Sequence, residues 1–287
     1  MQKLLILTKQ IFGANVLRFL LLSVTYICLS LFSAKSSQAI QANENNLRIA
    51  VAANFTPVLN ILLEDFTKQT GIPTQVISGA SGALFLQITH GAPFDIFLSA
   101  DSRRPIELEQ TGFTVENSRK TYALGQLAYY SSLHTDKEIN NATSLLAILN
   151  TPPQRFAIAN PDIAPYGKAA KETLISLGLW QIYQPRLITG INIGQTFTQL
   201  RSKAVSSGLI ANSQLILNNL SGVVIPSDLH QPIEQQLVII RASKQQANAQ
   251  KLMDFLLSDA TKQIIESYGY AKSSVPVSLP ESKLSPQ

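Results

Sequence analysis

Apolar and polar positions divide the chain into short units that alternate between two periods. Residues 47–53 form an almost unbroken apolar run, the pattern of a strand buried on both faces. Thr56 and Pro57 then supply an N-cap and a first helical residue, and Val58, Leu59, Ile61, Leu62, Leu63 and Phe66 follow at helical spacing until Thr70-Gly71. The order repeats as a strand over 74–77 and a helix over 81–88. A third strand over 94–99 follows the turn Gly91-Ala92-Pro93, and Asp101 is placed to cap a helix beginning near Pro105. Alternation of this kind predicts a parallel sheet covered by helices.

Residues 122–131 break the rhythm with a longer strand-like segment that no helix of its own length follows, which predicts a crossover into a second lobe. That lobe should hold strands over 155–159, 186–188 and 208–212 and helices over 168–177 and 194–206. Residues 237–241 cross back, and 247–267 predict one long amphipathic helix. The expected fold class is α/β with two lobes, each a mostly parallel sheet flanked by helices, and a ligand cleft between them. Lobe 1 is discontinuous, residues 47–126 plus 237–272, and lobe 2 is residues 127–236. Residues 273–287, rich in Ser and Pro, read as a loose tail.

The N-terminus changes the charge picture. Lys3, Lys9 and Arg18 precede an apolar run over 19–32, and Ser37-Gln38-Ala39 closes the segment with small residues. This is the pattern of a cleavable signal peptide, residues 1–39. The run is shorter than the ~20 residues of a spanning helix, which argues against an anchor. The leader carries four of the 23 basic residues and none of the 18 acidic ones, so most of the formal charge of +5 belongs to it. A nucleic-acid partner thereby loses its main support. Cys28, the one cysteine, also lies in the leader, so the mature chain can form no disulfide.

Ligands of open α/β sheets bind at the carboxyl ends of the strands. Four loop-to-helix starts fall there: Ala52-Ala53-Asn54-Phe55-Thr56-Pro57, Ser78-Gly79-Ala80-Ser81-Gly82-Ala83, the segment 160–167 ending in Tyr166-Gly167, and Asn192-Ile193-Gly194-Gln195. Each offers backbone N–H groups that lack helical partners and a dipole end that favours negative charge. One such start is an ordinary capped turn; four, two from each lobe, point to one shared anion. Their contact positions carry no Lys, Arg or His, and neutral donors hold a dianion if enough of them converge. They carry no carboxylate either. A protonated anion such as hydrogen phosphate needs an acceptor, whereas a fully deprotonated one needs donors only.

Other chemistries have weaker support. His90, His134 and His230 lack metal-ligand spacing. Ser81 lacks the Gly-x-Ser-x-Gly elbow of a nucleophile. Asp95 and Asp101 read as local backbone partners, Arg103-Arg104 as a solvated helix start, and Trp180 as core or an interlobe wedge. The sequon Asn54-Phe55-Thr56 is accidental if Asn54 lines a cleft.

Over about residues 47–270 the chain resembles the molybdate-binding proteins that serve ABC transporters, within the two-lobed periplasmic binding-protein superfamily. The resemblance rests on 52–55, 78–82, Gly91-Ala92-Pro93-Phe94-Asp95, Ser99-Ala100-Asp101 and 160–167. It implies that Asn54 donates its side-chain or backbone N–H, Ser81 its hydroxyl and N–H, and Tyr166 and Ile193 their backbone N–H groups. Ala53 departs from the family, offering backbone only where many members have Ser or Thr. Ala211 stands where some members have a tyrosine hydroxyl, for which Tyr166 is a substitute from the facing segment. The resemblance further implies a periplasmic, monomeric, non-catalytic protein with no cofactor and no metal cation. Its ligand would be molybdate or tungstate, and its partner an ABC permease with its ATPase. A carrier of sulfate or another small oxyanion keeps this fold. A secreted hydrolase would need Ser81 beside a histidine, and a membrane-tethered sensor would need the N-terminus uncleaved.

Overall fold

The computed structural model describes residues 46–133 and 142–272; the leader, His134 and the tail lie outside them. In lobe 1, β1 (Leu47–Ala52), β2 (Thr74–Gly79) and β3 (Ile96–Leu98) alternate with α1 (Thr56–Thr70), α2 (Ser81–Thr89) and α3 (Arg103–Gln110). β4 (Lys120–Gly125) completes the first passage through that lobe, and the chain changes sheets at Gln126. Lobe 2 contains β5 (Leu127–Ser131), α4 (Ala142–Leu149), β6 (Phe156–Ala159), α5 (Pro165–Ser176), α6 (Trp180–Tyr183), β7 (Leu187–Gly190), α7 (Ile193–Arg201), β8 (Ser207–Ala211), α8 (Asn212–Leu217) and β9 (Val223–Val224). The chain returns through β10 (Ile233–Ile239) and ends in α9 (Gln246–Leu257) and α10 (Asp259–Ser267).

The two sheets share one topology. Lobe 1 has the order β2-β1-β3-β10-β4 and lobe 2 the order β7-β6-β8-β5-β9. In each, the first three strands are parallel, and the fourth is antiparallel to both of its neighbours. That fourth strand is the one that has just arrived from the other lobe, β10 in the first sheet and β5 in the second. The expected lobes are therefore present with mixed sheets, in which the returning strand runs against the rest.

Strand alternation builds the lobe 1 core on both sheet faces. Ile49, Val51, Ile96, Leu98, Leu237 and Ile239 pack with α1 and α9, whereas Ala50, Phe97 and Val238 face Leu84 and Leu108 on the opposite side. Lobe 2 buries Phe156, Ile158, Leu174, Tyr183 and Leu209.

Three features differ from the sequence reading. β10 opens at Ile233, not at residue 237, so Ile233 to Gln236 pair in the lobe 1 sheet against β4. Phe55 is the residue before α1, and Thr56 is its first helical residue, with its hydroxyl 2.7 Å from that of Ser78. The long helix expected over 247–267 is two helices. Ser258 stands between them in an extended conformation with ψ 147°, and its hydroxyl accepts from the Thr261 N–H at 3.3 Å. The apolar period continues across the break, so periodicity alone hides it; the N-cap chemistry of serine makes it. Ser258→Ala should lower stability by about 1 kcal/mol, read as a shift in the urea midpoint at unchanged slope.

Candidate functional site

The carboxyl ends of β1, β2, β6 and β7 meet where the lobes face each other. They enclose a small cavity of about 10 Å³ lined by Ala52, Ala53, Asn54, Gly79, Ala80, Ser81, Ala100, Ala164, Pro165, Tyr166, Asn192 and Ile193. None of the lining residues is charged. A far larger groove opens nearby, but its walls mix Arg103, Lys168 and Lys171 with Asp162, Glu172 and Glu234, a solvated arrangement of both signs.

All four expected starts converge on the small cavity. Asn54, Ser81, Tyr166 and Ile193 are all buried. Their backbone N–H groups make no hydrogen bond among the described residues. Ser81 opens α2, and its Oγ accepts from the Ala100 N–H at 2.9 Å, which fixes the oxygen and leaves the hydroxyl proton to be donated. Pro165, which has no N–H to satisfy, opens α5, and Tyr166 and Gly167 follow it in the first turn. A Cβ on Gly167 would collide with the Ala159 carbonyl, so glycine lets this helix start press onto the end of β6. Asn192 caps α7, its side chain accepting from Gln195 N–H at 2.9 Å, and leaves the Ile193 N–H toward the cavity wall.

Two further candidates behave differently. The Ala53 N–H is already bonded to the Gly79 carbonyl at 2.9 Å, so Ala53 contributes wall and not a donor. Its Cβ lies close to Gly194, 3.6 Å from where a Cβ on that glycine would stand. Ala211 is fully buried at the end of β8, outside the cavity lining, and its N–H donates to Gln214 Oε1 at 3.1 Å. That glutamine in turn donates to the Ile193 carbonyl at 3.0 Å, so Ala211 is linked to the start of α7 from outside the cavity lining.

A buried polar network that the sequence reading missed stands behind Asn54. Gln235 Oε1 accepts from Asn54 Nδ2 at 3.0 Å and from the Tyr122 hydroxyl at 3.0 Å, and Gln235 Nε2 donates to the Tyr166 hydroxyl at 3.2 Å. Tyr270 donates to the Asn54 carbonyl at 3.1 Å and accepts from Asn54 Nδ2 at 3.2 Å. Gln235 belongs to the strand that joins the lobes, so one side chain links Asn54 and Tyr122 of lobe 1 to Tyr166 of lobe 2. Burial, with Tyr270 close by, raises the phenols of Tyr122 and Tyr166; burial also raises that of Tyr270. All three remain neutral at ordinary pH. The sequence signal was available: three consecutive polar residues, Glu234, Gln235 and Gln236, run directly into the apolar stretch Leu237 to Ile240.

The lobes also touch beside the cavity. Gly82 N–H donates to the Ile163 carbonyl at 2.9 Å, and Arg104 Nη2 donates to the Asp162 carbonyl at 3.3 Å. Arg104 is buried and paired with Asp101, so the expected solvated helix start holds for Arg103 only. Burial lowers the Arg104 pKa and Asp101 opposes that shift. Among the described residues Ser81 has no histidine partner: His90 Nδ1 lies against the Leu86 carbonyl and His230 Nδ1 against that of Gln231. Asn54 is 1% exposed, which leaves no room for a glycan. Among the described residues no cluster of His, Cys, Asp or Glu could hold a metal ion.

Residues 47–271 match the family described as bacterial extracellular solute-binding protein. The molybdate-binding protein ModA of Rhodobacter capsulatus is 36% identical over 81% of this chain and 90% of its own length. ModA of Azotobacter vinelandii is 34% identical over 86% of this chain and 98% of its own. The solved periplasmic molybdate-binding protein of A. vinelandii superposes with a TM-score of 0.73 at 34% identity, over 79% of this chain and 99% of that one.

Two outcomes test the geometry. A Cβ on Gly82 would lie 2.9 Å from the Ile163 carbonyl oxygen and 2.7 Å from Arg104 Nη2. Gly82→Ala should therefore prop the lobes apart, seen as a larger radius of gyration in small-angle X-ray scattering. The raised phenols give a sign to alkaline stability. Their contribution is present below the unfolded phenol value of about 10 and is lost as pH climbs above it, because the unfolded chain then gives up protons that the folded chain retains. The denaturant midpoint should fall between pH 9 and about 11, and should fall less in Tyr122→Phe.

Proposed function

This chain belongs to the bacterial extracellular solute-binding protein family, and from that premise we propose that it captures molybdate outside the cytoplasm and delivers it to an ABC importer. The observation that carries this reading is the convergence of four unpaired backbone N–H groups and the Ser81 hydroxyl on one buried, uncharged cavity. Donors aimed from two lobes reach one anion only when the lobes close, so ligand and closure stabilise each other. The likeness to ModA proteins supports molybdate as the cargo, with tungstate the isosteric alternative.

Capture proceeds from the residues present. The open cleft admits the anion to the donors of lobe 1, where Ser81 and Asn54 receive it. Closure brings the α5 and α7 starts over it, and the Gly82 and Arg104 contacts shut the rim. No general base stands beside Ser81 among the described residues, so the hydroxyl serves as a donor. The closed form then docks on a permease coupled to its ATPase, the basic leader having been removed in the periplasm. The protein acts as a monomer, without cofactor or nucleic acid.

Calorimetric titration of residues 40–287 with molybdate should give one tight site that sulfate disturbs weakly. Ser81→Ala should weaken it by about 1–3 kcal/mol, the scale of a hydrogen bond to a charged group, and Ser81→Asp should weaken it further through repulsion. A response to sulfate with silence toward molybdate would change the cargo and keep the site. Silence toward every oxyanion would overturn the reading.

A further inference from the structure

The turn after α10 belongs to lobe 1 but is fitted against lobe 2. α10 stops at Ser267, and Gly269 then takes φ 85°, a left-handed conformation that favours glycine. A Cβ on Gly269 would stand 2.9 Å from Asn212 Nδ2 and 3.0 Å from Ile216 Cγ1, both on α8 of lobe 2. Asn212 Nδ2 donates to the Gly269 carbonyl at 3.3 Å. The Asn212 backbone N–H donates to the Gln126 carbonyl at 2.9 Å, where the chain passes from one sheet to the other. Glycine thus lets a lobe 1 turn press onto a lobe 2 helix beside a crossover.

The next residue, Tyr270, reaches the back of the cavity wall. Its hydroxyl donates to the Asn54 carbonyl at 3.1 Å and accepts from Asn54 Nδ2 at 3.2 Å, and its ring meets that of Phe55 edge-on with centroids 5.6 Å apart. Asn54 Nδ2 also donates to Gln235 Oε1 at 3.0 Å. The side-chain donor and the carbonyl of Asn54 are therefore both taken, and its backbone N–H is the donor left for the cavity. Ala271 follows, donating its N–H to the Leu124 carbonyl at 2.8 Å and bridging β4 one residue before Gly125. Three successive residues thus touch α8 of lobe 2, the Asn54 wall and the strand that leads into the crossover.

We propose, resting on the oxyanion reading of the cavity, that residues 268–272 are a strap across the hinge and that Tyr270 is a positioning residue, which holds the Asn54 N–H toward the ligand only while α8 stays seated on Gly269. Ala271 fixes one end of the strap in the lobe 1 sheet, and Asn212 of lobe 2 bears on the other. Movement of α8 about the crossover at Gln126 therefore acts on Gly269 first and reaches Asn54 through the residue beside it. A ring packed edge-on can pivot in place, whereas hydrogen bonds weaken steeply with angle, so the hydroxyl is the sensitive contact. Opening the lobes then withdraws a donor as well as parting the walls, and release of the anion requires no separate trigger.

Tyr270→Phe keeps the ring on Phe55 and removes the hydroxyl, and Asn212→Ala removes the lobe 2 bond to Gly269. Wild type, both variants and the double variant would be titrated with molybdate. Each single change should weaken binding about tenfold, and the double variant should stay within about threefold of Tyr270→Phe, because without the hydroxyl Asn212 has nothing to act through. Losses that multiply to about a hundredfold, or no loss in either single variant, would overturn the proposal. Asn212 Nδ2 also donates to Gln126 Oε1 at 3.2 Å. Gln126→Ala should leave the affinity level; a loss there equal to that of Asn212→Ala would place the effect at the crossover and defeat the strap. Wild type that ignores molybdate would instead defeat the oxyanion reading. If a variant does not fold, amide hydrogen exchange of the wild-type chain decides. Molybdate saturation should slow the Ala271 amide about tenfold more than that of Gly71, at the far end of α1 from the cavity, and equal slowing of the two would overturn the proposal.

Discussion

An anion held away from water without a counter-charge has to be surrounded by dipoles that are already in place. Everything else in this structure follows from that constraint. A buried charge is expensive unless its hydrogen bonds are complete, and each neutral donor contributes only part of what a cation would. The donors must therefore be many, rigid and convergent. Parallel strands meet the requirement, because they deliver successive helix starts to one edge of the sheet. Here β1 and β2 deliver Asn54 and Ser81, and β6 and β7 deliver Tyr166 and Ile193. The shared topology of the two sheets makes the second pair face the first.

Rigidity comes from behind the cavity. The Ser81 oxygen is held by the Ala100 N–H, the Asn54 carbonyl by Tyr270, and the Ile193 carbonyl by Gln214. Each of these partners lies on a different element from the donor it positions. Neutral groups suit this role. A buried phenol that stays protonated can hold an amide in place without adding a negative charge next to an anion.

The helix starts that line the cavity were legible in the sequence because such starts have local signatures. Small residues, Pro at the first turn and Asn at the cap follow apolar runs at Asn54, Ser81, Tyr166 and Ile193, and no long-range information is needed to see them. Their supports were not legible, since Gln235 lies 181 residues from Asn54 and Tyr270 lies 216 away. Arg104 shows the same limit. Beside Arg103 in sequence it looks like half of a solvated pair, and only the position of Asp162 in the facing lobe makes it buried. Ala53 fails for a different reason: whether a strand-end N–H is free depends on the neighbouring strand's register, and Gly79 takes it. Ser258 was hidden because the apolar stripe runs through the break that its cap creates.

The interlobe contacts determine how much of the closure the ligand itself must drive. The Gly82–Ile163 and Arg104–Asp162 bonds, and the Gln235–Tyr166 bond at the hinge side, join the lobes with no ligand atom involved. They lower the free energy of the closed state whether or not the cavity is filled. Working against them, closure of an empty cavity buries four N–H groups with no acceptor, and each such group carries a desolvation cost. An oxyanion held as proposed would remove that penalty at every donor together. Affinity in this arrangement is therefore divided between donors that touch the ligand and latches that do not, and a change at Arg104 shifts the closed population and the apparent affinity without altering a single ligand contact.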